Sequence, residues 1–111
     1  MQKKTLREVC NMVGVTRRAV QGYEKIGLVA SSGKNKYGYL LYDEKAVEKI
    51  RTIKQYQEFG FMVKEIKELL EVSEEVYVEM MNVKMNVMKQ KFMELEANIS
   101  WMEELLSEKK R

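Results

Sequence analysis

The 111-residue sequence has no proline, no histidine and a single cysteine, Cys10. Without histidine, and with one thiol, a single chain cannot assemble a zinc site or a Cys/His catalytic pair. One cysteine also excludes an internal disulfide, which fits a reducing, cytoplasmic setting. Cys10 falls on the apolar face of the first expected helix, so burial in packing is its expected role, ahead of redox sensing. The absence of proline, with 33% charged and 45% hydrophobic residues, favours helices over loop-rich or sandwich folds. No apolar run approaches the roughly 20 residues of a membrane span. The opening MQKKTLREVC has no long apolar stretch after its lysines, so neither a membrane segment nor a secretory signal is expected. There is no glycine-rich phosphate loop. The pairs Glu74/Glu75 and Glu103/Glu104 read most simply as solvated charge on helix faces. An enzyme, a metal or a cofactor is therefore not expected.

What is present is unevenly distributed. The formal net charge is +3, yet residues 1–42 carry a net of +6 and residues 73–111 a net of −2. A basic head with a mildly acidic tail is compatible with nucleic-acid binding, and also with an ordinary solvated helical protein.

Thr5-Leu-Arg-Glu8 is a capping box, and Leu6, Val9, Cys10 and Val13 follow as the apolar stripe of a short helix. Gly14 stops that helix. Thr16 caps a second, whose stripe is Ala19, Val20 and Tyr23 and whose stop is Gly27. Two short helices joined around a glycine form a helix-turn-helix candidate. The stretch SSGKNKYGYLLYD, residues 31–43, alternates Tyr37, Tyr39 and Leu41 with Gly38, Leu40 and Tyr42. It predicts a β-hairpin wing with Lys34 and Lys36 near the tip. Asp43 caps a third helix with Val47, Ile50, Ile53 and Tyr56 on its apolar side, ended by Gly60. A short fourth helix carries Val63, Ile66, Leu69 and Leu70.

Ser73, followed by Glu74 and Glu75, starts a last helix that no glycine or proline interrupts. Val78, Met81, Met85, Met88, Phe92, Leu95, Ile99, Met102 and Leu106 recur at spacings of three and four. That is an a/d seam running for about 40 Å. So long and narrow a stripe calls for a coiled-coil partner, most simply a second copy of the chain. Methionine-rich seams leave strand orientation open. The expected fold is mainly α: a winged helix-turn-helix head with a small β-hairpin wing over residues 1–72, then a long coiled-coil dimerisation helix over residues 73–111. Trp101 falls one residue before a seam position. It is open between covering the coiled coil's flank, packing on a partner's head and lining a small-ligand pocket.

TLREVCNMVGVTRRAVQGYEKIGL, YGYLLYDEKAVEKI and EFGFMVKEIKELL occur in that order. Together they resemble the MerR family of bacterial transcription regulators over residues 5–70, through V-S/T-x-R, Y-E/D-x-I-G-L, G-Y-x-x-Y and G-F-x-x-x-E-I. The resemblance implies a homodimer joined by an antiparallel coiled coil and seated on double-stranded DNA at a pseudo-palindromic promoter site. RNA polymerase at that promoter is the further partner it implies. No effector domain is expected beyond the seam, where the chain reads SEKKR. Family metal sensors place several cysteines near the end of the dimerisation helix; here that stretch, ISWMEELLSEKKR, has none.

Carried over residue by residue, Arg18 matches the family's recognition-helix arginine and Arg17 precedes it in the first turn. Guanidinium groups there can pair with guanine O6 and N7 or with phosphates. Thr16 caps the same helix, and Tyr39 matches the wing tyrosine. Tyr23 matches a family tyrosine, while its place on the apolar stripe supports packing equally well; Tyr42 is expected in the core. The chain departs from the pattern at Gln21, Gly22 and Leu40, where the family often has arginine, tyrosine and arginine. It also lacks the family's proline after the second helix. Gln21 can read adenine through N6 and N7, and phosphate grip can shift to Lys34 and Lys36. A mid-helix glycine at Gly22 costs about 1 kcal/mol against alanine, so close approach of a DNA backbone and simple tolerance both stay open. The expected DNA-binding set is Thr16, Arg17, Arg18, Gln21, Tyr23, Lys34, Lys36 and Tyr39. The alternative is a protein-interaction module with a MerR-like head, of the kind that modulates J-domain co-chaperones. An architectural binder of the phage-excisionase type is a third possibility, which the long seam disfavours.

Overall fold

The structure, a computed structural model, describes residues 2–110. In chain order it comprises β1 (Lys4–Thr5), α1 (Leu6–Val13), α2 (Arg17–Lys25), β2 (Leu41–Tyr42), α3 (Glu44–Glu58), α4 (Val63–Glu71) and α5 (Glu74–Lys109). Contacts divide the chain between Val72 and Ser73 into two units.

In the first unit, each helix start has a local cause. At α1 the Thr5 hydroxyl accepts from the Glu8 N–H at 3.3 Å, while the Glu8 carboxylate accepts from the Thr5 N–H at 2.9 Å. That backbone bond is the main reason the Glu8 carboxyl is held below its ordinary value. Thr16 caps α2 by accepting from the Ala19 N–H at 3.0 Å, and Asp43 caps α3 by accepting from the Ala46 N–H at 2.8 Å. Gly14 ends α1 with φ of 79°, a conformation that costs other residues about 1–2 kcal/mol. The Lys54 ammonium then reaches from α3 to the Val13 carbonyl at 3.0 Å, satisfying one of the carbonyls left open at the end of α1.

The wing differs from a simple hairpin. Its outgoing arm does pair with its return: Ser32 N–H donates to Leu41 O at 2.6 Å, Leu41 N–H to Gly33 O at 2.8 Å, and Lys34 bridges Leu40. The regular ladder, however, lies on the other side of the return arm. There β2 pairs antiparallel with β1, Lys4 opposite Tyr42 and Thr5 opposite Leu41. The Lys3 ammonium donates to the Ser32 carbonyl at 2.7 Å, so the residues before α1 hold both arms.

The core gathers the stripes of all four short helices and the wing: Val9 and Val13, Val20 and Tyr23, Tyr42, Val47, Ile50 and Ile53, Ile66 and Leu69. Leu28, Val29, Ala46 and Phe61 complete it. Burying a side chain of the Val-to-Phe class contributes about 1.5–3 kcal/mol, so this cluster dominates the unit's stability. Two expectations are corrected: Leu70 of α4 is exposed, and Cys10 is half-buried rather than buried. Both flank a buried neighbour on their helix, at the edge of the apolar arc.

The second unit is α5, capped by the Ser73 hydroxyl, which accepts from the Val76 N–H at 3.3 Å. Its 36 residues extend for about 54 Å. The seam residues Val78, Met85, Met88, Phe92, Leu95, Ile99, Met102 and Leu106 are exposed by 45% to 62%, and Met81 is half-buried. Val76, Val83, Val87, Met93 and Trp101 are exposed too, so apolar side chains on α5 are not confined to the seam.

Candidate nucleic-acid interface

Helix α2 carries Arg17, Arg18 and Lys25 and the wing carries Lys34 and Lys36, while the head's other basic residues are spread over residues 3–7, α3 and α4. Arg17, Arg18, Gln21 and Gly22 lie on the exposed side of α2, with Val20 and Tyr23 on its buried side. The first turn of α2 holds two arginines and no acid. Cations at the positive end of a helix dipole are disfavoured by about 0.3–1 kcal/mol each, and an anion brought there would be favoured. Glu48 with Arg51 at 3.4 Å and Lys54 with Glu58 at 3.9 Å form ion pairs on α3. Among the described residues, Arg17, Arg18 and Lys34 take part in none. No acidic residue occurs from Lys25 to Tyr42, so the wing carries Lys34 and Lys36 without internal neutralisation. Thr16 is exposed, but its oxygen is committed to capping α2. Tyr39 is exposed on the wing.

Tyr23 stands apart from this set. Only 1% of it is accessible, and its hydroxyl donates to the Gln57 amide oxygen on α3 at 2.5 Å. Burial raises the phenol's pKa above its ordinary value. This geometry supports the packing role that the stripe position of Tyr23 allows beside a DNA contact. It ties α2 to α3.

The structure adds two positioning features that sequence reasoning missed. Tyr42, fully buried, donates its hydroxyl to the Glu24 carboxylate, linking the wing's return strand to the last turn of α2. Burial, reinforced by that carboxylate, pushes the Tyr42 phenol far above its usual range. The second is Asn35, whose side chain organises the wing tip; its available signal was an asparagine two residues before Tyr37, the spacing of a side chain bonding its own backbone. The Asp43 carboxyl, which ends the wing and starts α3, is held below its ordinary value chiefly by the Ala46 N–H. Among the described residues no group of three or more His, Cys, Asp or Glu side chains could hold a metal ion. Nor is any described helix long and apolar enough to cross a membrane.

Two short helices at a glycine turn, a strand-paired wing behind them and an exposed basic face define a winged helix-turn-helix protein. The family described as "MerR HTH family regulatory protein" matches residues 4–72. This chain belongs to the MerR family. The mercuric resistance operon regulatory protein of Bacillus cereus is 33% identical over 70 residues, covering 63% of this chain and 53% of the relative. The chain thus spans about half the length of that curated relative. Among solved structures, a MerR family transcriptional regulator from Bacillus cereus aligns with a TM-score of 0.74 at 24% identity, covering 93% of this chain and 79% of that one. HiNmlR, described as a MerR family regulator lacking the sensor domain and bound to promoter DNA, aligns with a TM-score of 0.71 at 17% identity, covering 89% and 80%. Both share the fold.

Proposed function

We propose that the chain is a sequence-specific DNA-binding transcriptional regulator that acts as a homodimer on a pseudo-palindromic promoter site. The observation that carries this reading is the exposed, unneutralised set Arg17, Arg18 and Gln21 on α2 with Lys34, Lys36 and Tyr39 on the wing. A recognition helix presents its first-turn residues to base edges in the major groove, and the wing then lies along the adjoining backbone. Arg18 reads guanine, Gln21 reads adenine, and the lysines take phosphates. The exposed seam of α5 supports the dimer, through an antiparallel coiled coil that spaces two heads for two half-sites. The promoter complex of HiNmlR supports DNA as the partner of a chain built this way. RNA polymerase at the target promoter, in the cytoplasm, is the consequent further partner.

The test is fluorescence anisotropy against duplexes selected from a random library, over a salt series. A two-fold symmetric selected site and a steep salt slope are expected, since each neutralised phosphate contributes about 0.9 to that slope. Arg18→Ala should lose specific binding, dropping the selected duplex to the affinity of a scrambled one, while its thermal midpoint stays near wild type. Equal affinity of wild-type protein for selected and scrambled duplexes would refute sequence-specific binding. The apolar Leu40 and neutral Gln21 favour one other reading, a docking head for an acidic protein. Failure to enrich any duplex would decide for it.

A further inference from the structure

The tip of the wing is built around one side chain. Asn35 Oδ1 accepts from the Tyr37 N–H at 2.9 Å and from the Tyr39 N–H at 3.0 Å. The Asn35 backbone N–H donates to Tyr39 O at 3.0 Å, and its carbonyl accepts from the Gly38 N–H at 3.0 Å. Gly38, at φ of 84°, takes the left-handed conformation that closes the turn. Four hydrogen bonds therefore define the backbone of residues 35–39, a loop that would otherwise be free to sample many conformations.

What this frame displays is not packed against the protein. Tyr37 is 71% exposed and Tyr39 is 64% exposed. The Lys36 ammonium sits 5.1 Å from the centre of the Tyr37 ring, so cation and aromatic face form one unit. Neither tyrosine hydroxyl has a hydrogen-bond partner among the described residues. A rigid turn thus presents two phenols and two ammonium groups, Lys34 and Lys36, with no carboxylate near them in sequence. Phenol and ammonium are donors that suit phosphate oxygens, and an aromatic face suits a deoxyribose; together they match a sugar-phosphate backbone.

Resting on the DNA-binding reading above, we infer that Tyr37, paired with Lys36, is a further DNA-backbone contact of the wing. Asn35 is the positioning residue that aims Tyr37 and Tyr39 together. The contact is sequence-independent: it raises affinity for every duplex alike and leaves discrimination to α2.

Anisotropy on the selected and the scrambled duplex tests this in the full-length protein. Tyr37→Phe keeps the ring and removes the hydroxyl. It should weaken both duplexes by the same factor, about tenfold for a hydrogen bond to a charged acceptor. Lys36→Ala should lower the salt slope by about 0.9. Asn35→Asp keeps the acceptor that organises the turn but adds a negative charge. It should retain the wild-type thermal midpoint and bind both duplexes more weakly, most clearly at low salt. Wild-type affinity for Tyr37→Phe and Asn35→Asp, in an experiment where Arg18→Ala loses the selected site, would overturn the wing contact and leave the regulator reading standing. A Tyr37→Phe loss confined to the selected duplex would overturn the backbone assignment in favour of a base contact. Absence of duplex binding by the wild-type protein overturns both readings together.

Discussion

Gly22 is the one glycine inside a helix among the described residues, and a methyl group added there would meet no atom within 4 Å. Nothing in the free fold requires it. Gly22→Ala is therefore expected to raise stability by about 0.5–1 kcal/mol, read as a shift of the urea midpoint. The same variant gauges how closely a duplex approaches, because Gly22 lies one turn from Arg18 on the exposed side of α2. Unchanged affinity would mark the glycine as merely tolerated; weaker binding by a more stable protein would mark a backbone passing too close for a methyl. Tyr23 shows where residue-level reading stops. Periodicity puts it on the buried stripe and resemblance puts it on DNA, and its 1% accessibility supports the stripe. Its partner Gln57 is 34 residues away, a distance across which no local pattern carries information.

At the scale of elements, the helices were legible because each start carries its own chemistry. Thr5, Thr16, Asp43 and Ser73 all cap the helices that follow them, as their place before an apolar stripe implies. The pairing of β1 with β2 was not legible. Lys4–Thr5 is only two residues long, has no alternation to detect, and doubles as the cap of α1. The half-buried state of Cys10 was equally out of reach, since periodicity gives the direction of a side chain but not the depth of cover above it. The caps also predict an acid response. The Glu8 and Asp43 carboxyls are depressed below ordinary values of 4.5 and 3.8 by the backbone N–H groups they accept from. A depressed carboxyl stabilises the fold above its unfolded pKa, and that contribution is lost as pH falls through the folded value. Stability should therefore hold from neutral pH down to about 5 and decline below that. Glu8→Gln with Asp43→Asn retains both acceptors but cannot titrate there. The double variant should show a smaller drop in urea midpoint between neutral pH and about pH 3; an identical drop would remove the caps as its cause.

For the whole molecule, the decisive surface is the exposed seam of α5. Phe92, near the helix's middle, is 62% exposed. Phe92→Glu should convert a dimer to a monomer in sedimentation velocity while the head keeps its circular dichroism and thermal midpoint. It should also weaken binding to a two-fold selected site far more than to a single half-site, because two linked heads bind as one ligand of high effective concentration. A wild-type protein that sediments as a monomer at micromolar concentration would sink the dimer. The seam's periodicity was plain in the sequence, whereas the exposed Val76, Val83 and Val87 beside it were not anticipated, since one apolar stripe was enough to explain the helix.

Trp101 is the chain's single tryptophan and is 64% exposed on α5, while all six tyrosines precede residue 78. Five of those tyrosines lie in the head and Tyr77 lies in the first turn of α5, so the indole reports on α5 alone and the tyrosines report mainly on the head. Emission excited at the red edge comes from the indole alone, and a maximum that moves as the protein is diluted follows the surroundings of α5. Near-ultraviolet dichroism from the tyrosines, dominated by buried rings such as Tyr23 and Tyr42, follows the head. Association of the proposed dimer and folding of the head can thus be followed separately in one unmodified sample.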